Sequence, residues 1–340
     1  MLSQVDLAMS PALRIYCQGF SHGSKDWPPL PLDVPPELDW WRRLIGNSVN
    51  GVTQERGLLS ALEEAMPQLR LPQQEGISTH EIYRMLVLRG EAADVATLAA
   101  EGAPLQWERT DALTLWIAPH PCGAMPVLQT PSWHDFVQLV CALAHRSEPM
   151  QLADGVHAQA LSGLINWGLI SQFGRQSRAR LIVLHESLYG SVPARAVPGD
   201  LSGSQWLAAS SALRLEHELT HLATKRALGE MRLNLLDELI ADCMGMVAAL
   251  GWFNAELFGR CLGIEAADGR WSTYTQELSE SDARQAIAWV IARSHELEQR
   301  LSDHHWLLQP AQAMQRLQWL CTQHLDQPIS DVHDPWLTSR

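Results

Sequence analysis

One segment constrains this chain more than any other: Arg214-Leu-Glu-His217-Glu218-Leu-Thr-His221, set in a stretch that reads as one helix over Ser204–Leu228. Residues four apart share a helical face, so His217 and His221 can aim ring nitrogens at one point. Glu218 lies about 100° round the helix from His217, beside that point instead of on it. Leu213, Leu215, Leu219 and Leu222 surround the motif, which predicts that this face is buried. Polar groups converging inside an apolar helix pair are costly unless a metal or mutual hydrogen bonds satisfy them. The chain must therefore fold a second element onto this helix, and HExxH spacing points to a metal between the two.

The second element is Leu235–Leu250, which reads as a helix joined by the short loop Gly229–Asn234. It brings Asp237, Glu238 and Asp242. Glu238 and Asp242 are four apart and share a face. Two imidazoles leave zinc short, because a catalytic site takes three protein ligands and keeps an open position. One carboxylate can bind the ion while the other accepts the outward N–H of a histidine and fixes its tautomer. Asp237, about 100° away, is expected at the surface or as a cap.

HExxH, a short loop and ExxxD on the next helix resemble the gluzincin branch of the zinc metallopeptidases. The resemblance covers roughly residues 180–250. It implies His217, His221 and Glu238 as ligands of one zinc ion (Zn2+), Glu218 as general base, and Asp242 as the group that orients a histidine. It also implies a strand beside the helix to hold extended substrate, for which Leu181–Leu184 is the candidate. The metzincin extension is excluded, since Thr224 and Ala227 stand where its glycine and third histidine would be. The function expected is a zinc-dependent hydrolase that attacks a peptide or amide bond through a metal-activated water. The alternative is a metal-dependent pathway enzyme acting on a small molecule or one dedicated peptide. A non-enzymatic metal-binding protein is a lesser alternative. Hydrolysis also needs a donor for the developing oxyanion; Arg232, Asn234, His295, Tyr189 and Tyr274 are the candidates for that or for substrate contact.

Two motifs compete. Gly19-Phe-Ser21-His-Gly23 has the GxSxG form of a nucleophile elbow and follows an apolar run, Leu13–Cys17, that reads as a strand. Too little chain precedes it for a parallel sheet, and Lys25-Asp-Trp-Pro-Pro cannot open the helix such an elbow requires. Glu218-Leu-Thr-His221 is also the ExxH of di-iron bundles, but the nearest second copy, Asp154-Gly-Val-His157, has the wrong acid and a helix-breaking glycine.

Composition sets the remaining bounds. With 340 residues and a net charge of −13, the chain lacks the electrostatic footprint of a nucleic-acid binder. Six cysteines form no CxxC pair, no secretory signal is apparent, and no apolar run approaches a membrane span. A cytoplasmic protein with a peptide or small-molecule substrate is expected, with neither nucleic acid nor membrane as partner. Further helices are expected at Thr53–Leu69, Ser78–Arg89, Ser132–His145, Val156–Phe173, Glu280–Leu301 and Ala311–His324, and a further strand at Leu113–Ala118. The fold class is therefore α+β and helix-rich, a zincin-like active-site helix pair with a small sheet. The Pro-rich loop Pro119–Pro131 suggests a boundary, giving a mixed α/β region over 1–125 and a catalytic domain over 126–340.

Overall fold

The computed structural model describes residues 9–20, 27–50, 57–99, 105–152, 155–161, 164, 180–266 and 269–332. Their backbone forms two compact units, one continuous over Leu30–Ser187, the other made of Met1–Pro29 together with Leu188–Arg340. The first segment of the second unit contains α1 (Pro11–Cys17), which the sequence suggested as a strand. Ser10 caps it by accepting from the Leu13 amide, and Pro11 occupies its first turn, where a missing N–H costs nothing. Leu13 and Cys17 are buried while Ile15 is exposed, the period of a helix and not of a strand.

The continuous unit holds α2 (Glu37–Asn50) and α3 (Gly57–Ala65), then β1 (Thr114–Ala118), β2 (Met125–Thr130), α4 (Trp133–Ala144), β3 (Ala158–Leu161) and β4 (Leu181–His185). The sheet order is β1-β2-β4-β3, with β2 and β4 parallel and the outer pairs antiparallel. Trp41, Leu62, Leu128, Phe136, Leu139 and Val183 form its core. Helix α4 starts where expected, with Ser132 accepting from the Asp135 amide.

The expected division at 125/126 falls inside β2, whose backbone pairs with β1, so the proline-rich loop is a hairpin turn and a strand instead of a linker. Val156–Phe173 does not begin as a helix: Ala158–Leu161 is β3, held by its pairing with β4, and most of the remainder lies outside the described residues. His157 is thus at a strand edge, and the second helical ExxH of a di-iron bundle is lost. Strand β4 is present, but β2 and β3 take both its edges, so it offers no free edge to an extended substrate. The stretch from Ser78 starts instead at His80, whose side chain accepts from the Ile82 amide, and continues as a π-helix over Arg84–Arg89.

The second unit continues with α5 (Gly203–Ala227), α6 (Leu235–Leu250), α7 (Ala255–Leu262), α8 (Glu280–Asp303) and α9 (Ala313–Leu320). Among the described residues the chain is helix-rich α+β with one small mixed sheet. None of these helices is long and apolar enough to cross a membrane. All six cysteines are buried and none is in a disulfide.

Candidate metal centre

Helix α5 is fixed at its start by a capping box between Ser202 and Gln205 and carries His217, Glu218 and His221 on its inner half. Helix α6 begins at Asn234, whose side-chain oxygen accepts from the Asp237 amide at 3.0 Å. The two helices pack closely because of Gly245. A Cβ there would lie 2.7 Å from the Leu213 carbonyl oxygen, so only glycine allows this approach, one turn before His217 on α5 and two turns after Glu238 on α6.

The approach brings His217, His221 and Glu238 together, buried, with one ligand atom from each within 4.8 Å of the others. The two Nε2 atoms are 3.1 Å apart. Glu238 Oε1 is 3.2 Å from His221 Nε2, and its Oε2 is 3.6 Å from His217 Nε2.

Behind each imidazole stands a carboxylate. His217 Nδ1 is 2.7 Å from Asp242 Oδ1, which also accepts from the Tyr189 hydroxyl. A carboxylate only accepts, so His217 Nδ1 carries the proton in this bond and Nε2 is the ring nitrogen turned to the centre. Burial first, and then the Asp242 charge, push the Tyr189 phenol well above its ordinary range, so it remains a donor. Tyr189 is held in turn by its amide on Ser210 Oγ at 3.0 Å. It sits in a tight turn whose Gly190 lies too close to the Cys261 backbone for any side chain.

Asp237 plays the matching part for His221. Its Oδ2 lies 3.4 Å from His221 Nδ1, an ion-pair contact and not a directed hydrogen bond. That oxygen accepts from the backbone amides of Arg232 and Leu233, both at 3.0 Å. Leu233 adopts a positive φ of 52° to make the second bond. Asp237 is fully buried, which corrects the expected surface position. Its own cap at Asn234 and the returning loop fold it inward.

The side chains of His217, His221 and Glu238 therefore converge, and Asp242 Oδ2, Asp237 Oδ1 and His221 Nδ1 are buried without hydrogen-bond partners. Burial disfavours charge on His221, but Asp237 and Glu238 outweigh it and hold the imidazolium well above its usual range. Burial would raise Glu238, yet His217, His221 and Arg270 bring its carboxyl down to about 2. Two imidazoles and one carboxylate at these distances are a donor set that could hold a zinc-type cation.

The other candidates separate. Tyr274 belongs to the site: its phenol interacts with Arg270 and Glu238 and is raised by burial first and the Glu238 charge second. Arg232 turns its guanidinium to the Ile15 carbonyl at 3.2 Å and toward Glu230. Asn234 is spent as the α6 cap and on the Tyr16 carbonyl. His295 is exposed on α8. Tyr189 orients the cluster and is not free to meet substrate. Ser21 lies outside the described residues, and the element before it is a helix, so the strand an elbow requires is missing. Sequence reasoning missed Arg270, whose Nη2 donates to Glu238 Oε2 at 3.0 Å. No local pattern links it to α6; it arrives through the turn before Trp271–Tyr274.

A family model matches residues 20–180 and 175–331. The chain belongs to this family of unknown function, DUF7005. No curated protein and no solved structure matches this DUF7005 chain.

Proposed function

We propose that this chain is a zinc-dependent hydrolase of the gluzincin type that cleaves a peptide or amide bond. The observation that carries the reading is the buried convergence of His217, His221 and Glu238, with Asp242 and Asp237 behind the two imidazoles. When bound, the ion supplies Lewis acidity that makes a water nucleophilic near neutral pH and polarises a carbonyl. His217, His221 and Glu238 would hold it. Glu218, half-buried beside Arg214, takes the proton of the attacking water and returns it to the departing amine. Tyr274, kept protonated by burial, offers a donor to the charge that develops on the carbonyl oxygen.

Elemental analysis of the purified full chain and turnover on a peptide library test this together. The expected result is one zinc per chain, and in Glu218→Gln an unchanged zinc content with turnover reduced by about 10²–10⁴. Full turnover in zinc-loaded Glu218→Gln removes the base, and absence of zinc uptake removes the reading.

One observation favours the second reading, a metal-dependent enzyme for a small molecule or one dedicated peptide. Strand β4, the candidate for holding extended substrate, is paired on both edges. Zinc content without cleavage anywhere in the library selects that reading.

A further inference from the structure

We propose that Tyr16, on the N-terminal helix α1, is a positioning residue of the metal centre: its hydroxyl ties the helix that carries Glu238 to the turn that carries Arg270 and Tyr274. This rests on the reading that His217, His221 and Glu238 hold zinc.

Helix α1 belongs to the same compact unit as the centre, although residues 30–187 intervene in the chain. The Tyr16 hydroxyl accepts from the Leu235 amide at 3.0 Å and donates to the Tyr274 carbonyl at 3.1 Å. A phenol has a single hydrogen, so the direction of both bonds is settled. Leu235 is the first residue of α6, and its N–H has no partner within the helix. Glu238 follows in the same turn. Tyr274 closes the turn that begins after Arg270, and Arg270 donates to Glu238 Oε2 at 3.0 Å.

The contacts form a ring: Tyr16 to Leu235, along one turn of α6 to Glu238, across to Arg270, along the turn to Tyr274, and back to Tyr16. Without the hydroxyl, the Leu235 amide and the Tyr274 carbonyl both lose this partner, and that side of the ring rests on the Arg270–Glu238 pair. Two more bonds press α1 against the loop that cradles Asp237. Asn234 Nδ2 donates to the Tyr16 carbonyl at 2.8 Å, and Arg232 Nη2 donates to the Ile15 carbonyl at 3.2 Å. Helix α1 therefore braces both carboxylates that face His221.

The test uses the full chain with zinc affinity measured by chelator competition, and the visible absorption of the cobalt(II)-substituted protein, which reports ligand geometry. Tyr16→Phe keeps the ring and removes only the oxygen. Zinc affinity is expected to fall about tenfold, the lower end of what outer partners of a metal ligand contribute, with a changed cobalt spectrum. Ile15→Ala, exposed on the same helix, should change neither. Arg232→Ala, which removes the neighbouring bond to the Ile15 carbonyl and so loosens α1 where it carries the Tyr16 hydroxyl, should shift affinity in the same direction by less, and it tests the bracing by α1 if Tyr16→Phe does not fold. Wild-type affinity and an unaltered cobalt spectrum in Tyr16→Phe, or in Arg232→Ala should Tyr16→Phe not fold, would overturn the role of Tyr16 while leaving the zinc reading intact. A wild-type chain that takes up neither zinc nor cobalt removes both.

Discussion

Asp135 in the sheet-bearing unit and Asp242 in the helical unit are both buried carboxylates, and their surroundings differ in kind. Asp135 accepts from the backbone amides of Glu108 and Arg109 at 2.8 and 2.9 Å, one on each oxygen. Glu37, also buried there, pairs with Arg180 at 3.0 Å. In the helical unit Asp242 puts one oxygen on His217 and Tyr189 and leaves the other without a partner, as Asp237 does. A buried charge answered locally by backbone serves the architecture. Buried acceptors crowded onto one point, with oxygens left over, are the observation on which the zinc proposal rests.

The largest effect that tests this contrast is ligand loss. Glu238→Ala should weaken zinc binding by more than about a hundredfold, beyond what outer partners contribute, whereas Asp135→Ala should leave zinc content unchanged. Full zinc occupancy of Glu238→Ala under chelator competition would break the comparison at its centre. Metal removal comes next. At a free zinc concentration 100 times the dissociation constant, binding stabilises the folded state by about 2.7 kcal/mol. Chelation should accordingly speed hydrogen exchange in α5 and α6 and leave β1–β4 unaffected. Equal acceleration in the sheet would show that the ion stabilises both units alike.

Smaller effects sharpen the contrast. Gly245→Ala forces a methyl group against the Leu213 carbonyl and should cost about 1–3 kcal/mol, with a parallel loss of zinc affinity. Asp135→Ala should cost a similar amount, about 1–3 kcal/mol for the amides it strands, with no loss of zinc affinity. Calorimetry with and without zinc distinguishes them. The last effect appears only in alkali. Burial pushes the Tyr83 phenol in the sheet unit up from 10.0 to about 12. The folded state then holds a proton the unfolded chain has released. This contribution is complete below pH 10.0 and fades as pH rises towards about 12. Tyr83→Phe should flatten that part of the stability profile; an unchanged slope there would show that Tyr83 does not set it.

The helix pair was legible because its signal is local. Each residue turns a helix by about 100°, so the spacing of His217, His221, Glu238 and Asp242 already placed two imidazoles on one face and two acids on another. Leu235–Leu250 has the bounds read from the residues, since Asn234 opens it and Gly251, with a positive φ of 81°, closes it. The strand read over Leu13–Cys17 failed because five apolar-rich residues are too few to show a period, and the Ser10 cap decided the matter. Strand β2 was hidden by Pro126, and β3 by an apolar run that could equally have been a helix.

Taken alone, the residues determined which side chains could meet across a helix pair and what chemistry such a set suits, because rotation per residue is a property of the backbone. Only the tertiary structure decided that Asp237 turns inward, that Arg270 reaches Glu238 across 32 positions, and that Tyr16 closes the ring from more than 200 residues away. Those contacts depend on the path of the chain through space, on which loops return and which strands pair, and no short-range pattern encodes that path.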